Sequence, residues 1–325
     1  MKYFFLALII IHGLIHLLGF VKAYNLAEVS QLTQNISKLA GKFWLLSTFL
    51  FLTTALLFLF GKNFWVYFGF AAIIISQILI ILSWNDAKFG TLLNLILLFP
   101  IVVTFAGNLP TSYQNLFKAE VVKGLERFST PSILNEEEIK HLPLAVQKYL
   151  RYSGAIGKEK PQNIKAVFKG EIKTNPDSDF LDFNSIQYNF FDQPTRAFFI
   201  KSKLFLLPFE GLHLYVGPNA TMQIKVASLF QVVDAKGPEM NKGETVTMFN
   251  DMCLMAPASL IDKNIEWETI DSLTVKAKFT NEGNSITATL YFNEKDELVN
   301  FVSDDRYESA DRSEEHTSEL QSRHN

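Results

Sequence analysis

The sequence predicts an α+β protein in which four membrane-spanning helices precede a soluble domain of antiparallel strands. Three observations lead to this fold class. Four long apolar stretches fill the first third of the chain, charged residues concentrate in the rest, and the apolar pattern there changes to a period of two. Residues 1–109 are therefore assigned to a transmembrane four-helix bundle, residues 110–134 to a polar linker and residues 135–311 to the soluble domain.

Each apolar stretch is close to the length of about 20 residues that a helix needs to cross the hydrocarbon core. The four predicted spans are Tyr3–Phe20, Phe43–Phe60, Phe64–Ser83 and Thr91–Ala106. No small-residue cleavage site follows the first span, so we expect a retained helix rather than a signal peptide. We therefore expect a multi-pass membrane protein, with the lipid bilayer as its partner.

The orientation in the membrane depends on lysine and arginine near the span ends. An even number of spans places both termini on one side, where five such residues lie, against four on the other side. This margin of one residue favours a cytoplasmic soluble domain.

Two histidines in the first span, His12 and His16, lie four residues apart and therefore share one helix face. Ionisable groups at membrane depth are costly and usually face the interior of a bundle. Three interpretations remain open. The rings could form a hydrogen-bonded contact between helices, for example with Gln77 or Asn94; they could be a metal or haem ligand pair, although no third ligand is evident; or they could form a proton or quinone site.

The soluble region begins with helix signals and continues as strands. Asn135 and Glu138 predict a capping box, and Pro143 should divide the amphipathic stretch that follows. Strands are predicted at 164–173, 185–191, 196–202, 212–216, 221–227, 229–234, 265–270, 273–280 and 285–292 and from 298, with a helix near 243–255. Short turns between consecutive strands predict an antiparallel, half-barrel-like or helix-filled sheet.

A sheet of this kind can shelter an apolar cavity, a common site for a lipid-like ligand. Aromatic side chains that could line such a cavity, or equally an ordinary core, are Phe190, Phe191, Phe198, Phe199, Phe205, Phe209 and Phe230. We therefore expect the soluble domain to bind an apolar or lipid-like small ligand. The alternatives are a membrane-tethered interaction module, and a redox or proton-transfer site at His12 and His16 that holds a metal, haem or quinone.

No catalytic constellation emerges from the sequence. It has no glycine-rich phosphate loop, no Gly-x-Ser-x-Gly elbow and no His/Cys metal spacing. His141 and His213 have no evident acid–base partner, and Cys253 lies among Met and Leu residues that indicate a buried, inert thiol. Whether the protein is an enzyme stays open, with non-enzymatic function favoured and the cofactor unknown. A net charge of −3 gives no reason to expect nucleic acid as a partner.

The C-terminal segment differs from the rest of the chain. Residues 312–322 resemble, codon for codon, the translation of a common sequencing adapter. Residues 312–325 are therefore predicted to be a non-native tail. We expect the native chain to continue beyond Asp311, so that the soluble domain is C-terminally truncated.

Short motifs in a fixed order give the soluble region a family resemblance. They are Leu142-Pro143, Val146-Gln147-x-Tyr149-Leu150, Ser153-Gly154, Met255 to Asp262, Ile265 to Glu268, Leu290 to Asn293 and Asp305-Arg306-Tyr307. With them, residues 136–311 resemble a bacterial domain-of-unknown-function family, and the motifs at His12–His16 and Asp86–Thr91 resemble the membrane anchor of Bacteroidota-type members. The resemblance implies a protein of the bacterial inner (cytoplasmic) membrane, and no established activity. Its strand pattern is similar to that of lipoprotein-carrier half-barrels at the level of fold.

Overall fold

The computed structural model describes residues 2–127, 130–173, 177–204 and 207–306, and its contacts divide the chain into two compact units, Met1–Leu109 and Pro110–Asn325. The first unit is helical, and the second consists mainly of antiparallel strands with a few helices. The predicted α+β class is therefore confirmed. The segment 312–325, predicted to be a non-native tail, lies outside the described residues.

The first unit contains six helices: α1 (Lys2–Ile15), α2 (Leu17–Ala23), α3 (Lys38–Leu59), α4 (Trp65–Leu82), α5 (Trp84–Ala87) and α6 (Gly90–Asn108). Four helical segments, starting at Lys2, Lys38, Trp65 and Gly90, are long and apolar enough to cross a membrane. Helices α1 and α2 together form the first of them, and residue 16 separates the two. The chain is therefore a membrane protein.

Small residues let these helices approach one another closely, as is usual where lipid provides no hydrophobic driving force. At Gly19, an added Cβ atom would lie 2.2 Å from the ring of Trp44. Trp44 is only 4% exposed. The tryptophan near the start of α3 therefore packs against α2 within the unit.

Helix α7 (Tyr113–Glu126) occupies most of the segment 110–134, which the sequence analysis treats as a polar linker. The hydroxyl of Ser112 accepts the backbone N–H of Asn115 and caps the helix. One face of α7 is buried, with Tyr113, Phe117 and Val121 packed on the large sheet of the second unit. The linker assignment is wrong for this segment because its spaced apolar residues need a surface that only the folded sheet provides.

Ten strands form two sheets in the described part of the second unit. They are β1 (Asn163–Ile172), β2 (Leu181–Phe190), β3 (Thr195–Leu204), β4 (Leu207–Val216), β5 (Asn219–Val226), β6 (Phe230–Lys236), β7 (Ile265–Thr269), β8 (Thr274–Asn281), β9 (Asn284–Phe292) and β10 (Leu298–Val302). Strands β1–β6 form a six-stranded antiparallel sheet in sequence order, and β7–β10 a four-stranded one. The predicted meander is therefore divided in two.

The division has a local cause. Helix α10 (Pro238–Met255) and a 3₁₀ turn (Pro257–Ile261) separate β6 from β7, so the next strand starts a new sheet. In β8 the buried side chains alternate with outward-facing lysines, and β9 buries every second residue in the same way. This alternation is typical of an antiparallel sheet with one face on the core and one in water.

Two short helices, α8 (Glu136–Ile139) and α9 (Leu144–Tyr152), complete the core over the small sheet. The capping box predicted at Asn135 is present, because its side chain accepts the N–H of Glu138 and the Glu138 carboxylate accepts the N–H of Asn135. Pro143 separates the two helices as expected. Gly154, at φ +68°, follows the end of α9 in the left-handed conformation that glycine adopts freely.

Candidate functional site

A buried polar network in the first unit, which we call the membrane unit, contains both predicted site histidines. His12 Nε2 lies 2.8 Å from Asn94 Oδ1, and His16 Nε2 lies 2.9 Å from Ser76 Oγ. Asn94 Nδ2 donates to Ser76 Oγ and to Gln77 Oε1, each at 3.0 Å. We call these five residues the histidine network. It joins α1, the start of α2, α4 and α6 by hydrogen bonds and contains no charged partner among the described residues.

The partners of each ring nitrogen indicate which tautomer is present. His16 Nδ1 lies 2.8 Å from the carbonyl oxygen of His12, so this nitrogen must carry the proton. His16 Nε2 then accepts from the Ser76 hydroxyl. His12 Nε2 faces the Asn94 side-chain oxygen and therefore donates to it. Neutral imidazoles satisfy every one of these contacts.

The network matches the first of the three interpretations of the histidine pair, a contact between helices, and Asn94 and Gln77 are the partners that the sequence analysis names. The described residues contain no group of three or more His, Cys, Asp or Glu side chains that could hold a metal ion. The metal, haem and quinone interpretations of His12 and His16 therefore remain predictions.

A second buried cluster lies in the second unit, which we call the soluble unit, between α10 and the large sheet. Arg196 on β3 donates from Nη1 to Glu244 Oε2 at 2.9 Å and from Nε to Asp251 Oδ2 at 3.1 Å. Glu244 and Asp251 are seven residues apart on α10 and therefore lie on one helix face. Gln187 and Asn189 on β2 donate to Asp251 Oδ2 at 2.7 and 2.8 Å. We call these five residues the Arg196 cluster.

The charges in the Arg196 cluster change the acidities of the two carboxyl groups in opposite directions. Burial acts to raise the pKa of Glu244, but Arg196 and then His213, whose Nδ1 lies 3.5 Å away, outweigh it and lower the pKa to about 2. Burial raises the pKa of Asp251, and the contacts with Arg196, Asn189 and Gln187 oppose that rise only in part. Glu244 is therefore the firmly ionised partner of Arg196.

The surroundings of two other candidate residues of the soluble unit, His213 and Cys253, indicate structural roles. His213 acquires the acidic neighbour that the sequence does not reveal, Glu244. Cys253 is fully buried, and burial raises the pKa of its thiol, which fits the predicted inert role. The hydroxyl of Tyr149 donates to the carbonyl oxygen of Cys253 at 2.7 Å and thereby ties α9 to α10.

A groove of about 550 Å³ runs along α7 on the opposite face of the large sheet from α10. Its apolar lining comes from Phe117 and Val121 on α7 and from strands β1–β3, which contribute Val167, Ile186, Tyr188 and Phe199. The lining also includes three exposed lysines, Lys118, Lys165 and Lys201. We call this feature the lysine groove.

The path of α7 along the sheet depends on a glycine. A Cβ atom at Gly124 would lie 2.3 Å from the ring of Phe190, so only glycine permits this approach. The guanidinium of Arg127 lies over the same ring, 5.1 Å from its centre. These contacts hold the C-terminal end of α7 on the sheet and thereby define one wall of the lysine groove.

Of the seven aromatic residues proposed for a cavity, Phe199 lines the lysine groove. Phe190 is buried under α7, Phe198 contacts His213 on the other face of the sheet, and Phe191 packs against the core over the small sheet. Phe209 on β4 is half-buried, Phe230 is 64% exposed, and Phe205 lies outside the described residues. The described phenylalanines therefore lie on several different surfaces rather than together in one cavity.

Sequence reasoning missed the Arg196 cluster and the lysine groove. Arg196 meets Glu244 and Asp251 across 48 and 55 residues of chain, and no local motif records that separation. The seven-residue spacing of the two acids on a predicted helix is the one signal that could have marked a charged face toward the sheet.

A family model, described as a family of unknown function (DUF6544), matches residues 132–319. The chain belongs to this family. The match includes all ten strands, α8–α10 and the Arg196 cluster, while α7 precedes it. The expected resemblance to a family of unknown function is therefore confirmed. The bacterial origin and the non-native tail, whose first eight residues the DUF6544 match includes, remain predictions. No curated protein and no solved structure matches the chain.

Proposed function

We propose that the soluble unit, with the DUF6544 domain and α7, binds a lipid-like ligand that has an apolar chain and an anionic headgroup in the lysine groove. The observation that carries this proposal is the pairing of an apolar lining with three lysines. The volume of about 550 Å³ lies within the range of about 300–1,000 Å³ usual for small-molecule sites. The chain would lie on Val121, Val167 and Phe199, and the headgroup beside the lysines.

The charges of the groove favour an anion. Lys201 is 3.4 Å from Glu210 and is therefore partly neutralised. Lys118 and Lys165 have no carboxylate partner among the described residues, and Lys165 lies 5.8 Å from the Tyr188 ring. Two ammonium groups at an apolar surface attract a carboxylate or phosphate and stay hydrated while they do so.

A fatty-acid series tests the proposal on the full chain in detergent, by displacement of a fluorescent fatty acid. Each buried methylene contributes about 0.8 kcal/mol, so affinity should rise about fourfold per added carbon until the groove is full. The matching alcohols should bind more weakly than the acids. Native mass spectrometry of the same preparation should find a co-purified anionic lipid.

Two variants separate the groove from unspecific partitioning into the detergent. The double variant Lys118→Gln/Lys165→Gln should lose about fivefold in affinity for the acids, from about 0.5 kcal/mol per exposed ion pair, and nothing for the alcohols. Lys263→Gln, at an exposed lysine away from the groove, is the matched control. Val121→Trp should occlude the groove and abolish displacement. Equal binding by the occluded variant would contradict the proposal and leave the membrane-tethered interaction module as the competing function.

We further propose that the protein lies in a bacterial cytoplasmic membrane with the soluble unit on the cytoplasmic side, on the basis of the lysine and arginine count. Cys253 is buried, so single introduced cysteines can report sidedness. A membrane-impermeant maleimide applied to intact cells should label Asn35→Cys, in the connection between α2 and α3, and leave Ser272→Cys, on the soluble unit, unlabelled. The reverse pattern would place the soluble unit outside.

A further inference from the structure

A half-open pocket of about 310 Å³, called the cavity below, lies in the membrane unit next to the histidine network. Its walls come from α1, α2, α3, α4, α5 and α6 and from the connection between α2 and α3, which contributes Gln31 and Leu32. Most of the lining is apolar, with Trp44, Ile80 and Leu93 among its residues. The polar side chains that reach it include His12, His16 and Asp86.

One hydrogen-bond acceptor at this cavity has no protein partner. In the tautomer that its contacts require, His12 donates from Nε2 to Asn94, and its Nδ1 is therefore a free lone pair. No described residue donates to this nitrogen, although His12 is only 2% exposed. A ligand hydroxyl that donates to this nitrogen would therefore form a hydrogen bond that a ligand without a donor lacks.

The Asp86 carboxylate, which lines the cavity, already accepts three hydrogen bonds from the protein. Asp86 accepts the backbone N–H of Thr33 at 2.7 Å, the Thr33 hydroxyl at 2.7 Å and the N–H of Gln34 at 3.1 Å. These bonds lower the pKa of Asp86 and hold the connection between α2 and α3 over the cavity. Lys22 holds the same connection through the carbonyl oxygen of Leu32. Since Asp86 is occupied and no lysine or arginine lines the cavity, its walls favour an uncharged ligand.

We propose that this cavity binds an uncharged aromatic alcohol, of the phenol or quinol class, whose hydroxyl donates to His12 Nδ1. The compact volume, at the lower end of the usual range, fits a ring system. The indole of Trp44 offers an aromatic face to that ring. A plain acyl chain would fill the space but would leave the histidine acceptor without a donor. This site is independent of the lysine groove.

The test uses the full chain in phosphatidylcholine nanodiscs and two probes of matched shape, 1-naphthol and 1-methylnaphthalene, with affinities referred to the probe concentration in the bilayer. Binding is followed through tryptophan emission, and the variant Trp44→Phe identifies the part of the signal that comes from the cavity. We expect saturable binding, with 1-naphthol about 2- to 10-fold tighter than 1-methylnaphthalene, the effect of one hydrogen bond.

Three variants assign the binding to the cavity and to His12. Leu93→Trp should fill the cavity and abolish saturable binding of both probes. His12→Phe should bind both probes with equal affinity because the acceptor is gone. Ser76→Ala breaks the same network but keeps the contact of His12 Nε2 with Asn94, and with it the acceptor at His12 Nδ1, so it should retain the preference for 1-naphthol and controls for general damage to the unit.

Either of two results would overturn the proposal. The first is equal affinity of the native chain for both probes, or no saturable binding at all, as expected if lipid chains alone fill the cavity. The second is a preference for 1-naphthol that persists in His12→Phe. If His12→Phe does not fold, the comparison of the two probes in the native chain and in Leu93→Trp still decides the matter.

Discussion

The histidine network and the Arg196 cluster solve one problem, the burial of polar side chains, in two different ways. In the membrane unit, His12, His16, Ser76, Asn94 and Gln77 form a set of neutral hydrogen bonds. In the soluble unit, Arg196 meets two carboxylates at 2.9 and 3.1 Å with amide side chains around them. The first set joins helices of the membrane unit, and the second joins one helix to a sheet.

The difference follows from the solvent that surrounds each part of the chain before it folds, which is lipid for one unit and water for the other. A charge in hydrocarbon is expensive at every stage of assembly, so a membrane segment favours groups that hydrogen-bond without ionising. A water-soluble chain starts with hydrated charges and can bury them only when partners replace the lost water. Removal of one partner should therefore be far more costly in the Arg196 cluster than in the histidine network.

The largest effect should come from Arg196→Met. The change leaves Glu244 and Asp251 buried without their cation, and loss of one partner of a buried ion pair costs about 3–5 kcal/mol. Denaturation of the full chain in detergent, followed by the signal of the soluble unit, measures this cost. Arg151→Met is the matched control, since the pair of Arg151 with Glu136 is exposed and its loss should change the midpoint little. Equal effects of the two changes would contradict the proposed role of burial.

Acid should weaken the Arg196 cluster through Glu244. Its pKa is about 2 in the folded protein against an ordinary value of 4.5, so its stabilising contribution is present above pH 4.5 and is lost as pH falls toward 2. The loss amounts to about 3 kcal/mol. Asp251, whose pKa is raised, acts in the opposite sense and gains stability on protonation.

Hydrogen exchange of the α10 amides between pH 5 and pH 3 measures this acid effect. In the native chain, protection should fall as the pH decreases. Glu244→Gln should be less stable at pH 5, and its protection should fall less steeply or rise with acid, because only Asp251 still titrates there. A native-like acid response in Glu244→Gln would assign the effect to other carboxylates.

The membrane network should respond less strongly to the loss of its central member. Asn94→Ala removes the contacts to His12, Ser76 and Gln77, and hydrogen bonds between membrane helices contribute about 0.6 kcal/mol each on average. We expect a loss of about 1–2 kcal/mol in denaturation of the detergent-solubilised chain. Thr104→Ala on the same helix is the control, because Thr104 bonds only within α6, to the carbonyl oxygen of Pro100. A loss as large as that of Arg196→Met would remove the contrast between the two units.

The smallest expected effect is the coupling between His16 and Ser76, 2.9 Å apart. A double-mutant cycle of His16→Phe and Ser76→Ala should give about 0.6 kcal/mol, the average for hydrogen bonds between membrane helices. The cycle isolates the pair from the general effect of each change. A coupling of several kcal/mol would mean that the ring is charged, which contradicts the neutral network.

Much of the fold could be predicted from local patterns. The four spans follow from apolar length, and the ten strands from alternation, because both signals repeat within a few residues. Asn135 and Pro143 act as predicted because the start and the end of a helix depend on immediate neighbours in the chain. Helix α7 was missed since its apolar stripe is short and its surroundings look polar until the sheet is present to receive it.

The candidate sites were predicted less completely. The shared face of His12 and His16 follows from their spacing, and the approximate choice of Asn94 and Gln77 as partners follows from the scarcity of polar residues in the spans. The Arg196 cluster joins residues 48 and 55 positions apart, and the lysine groove joins α7 to three strands. Contacts between such distant residues depend on the register of the strands and on where each helix packs.

The sequence by itself determined where the four helices able to span a membrane lie and where most other helices and strands lie, because hydrophobic length and periodicity act locally. Only the tertiary structure decided that β6 and β7 belong to different sheets, that α7 lies along one sheet face, and which buried polar groups meet. Those outcomes depend on packing between distant segments, where the cost of an unpartnered polar group selects the arrangement.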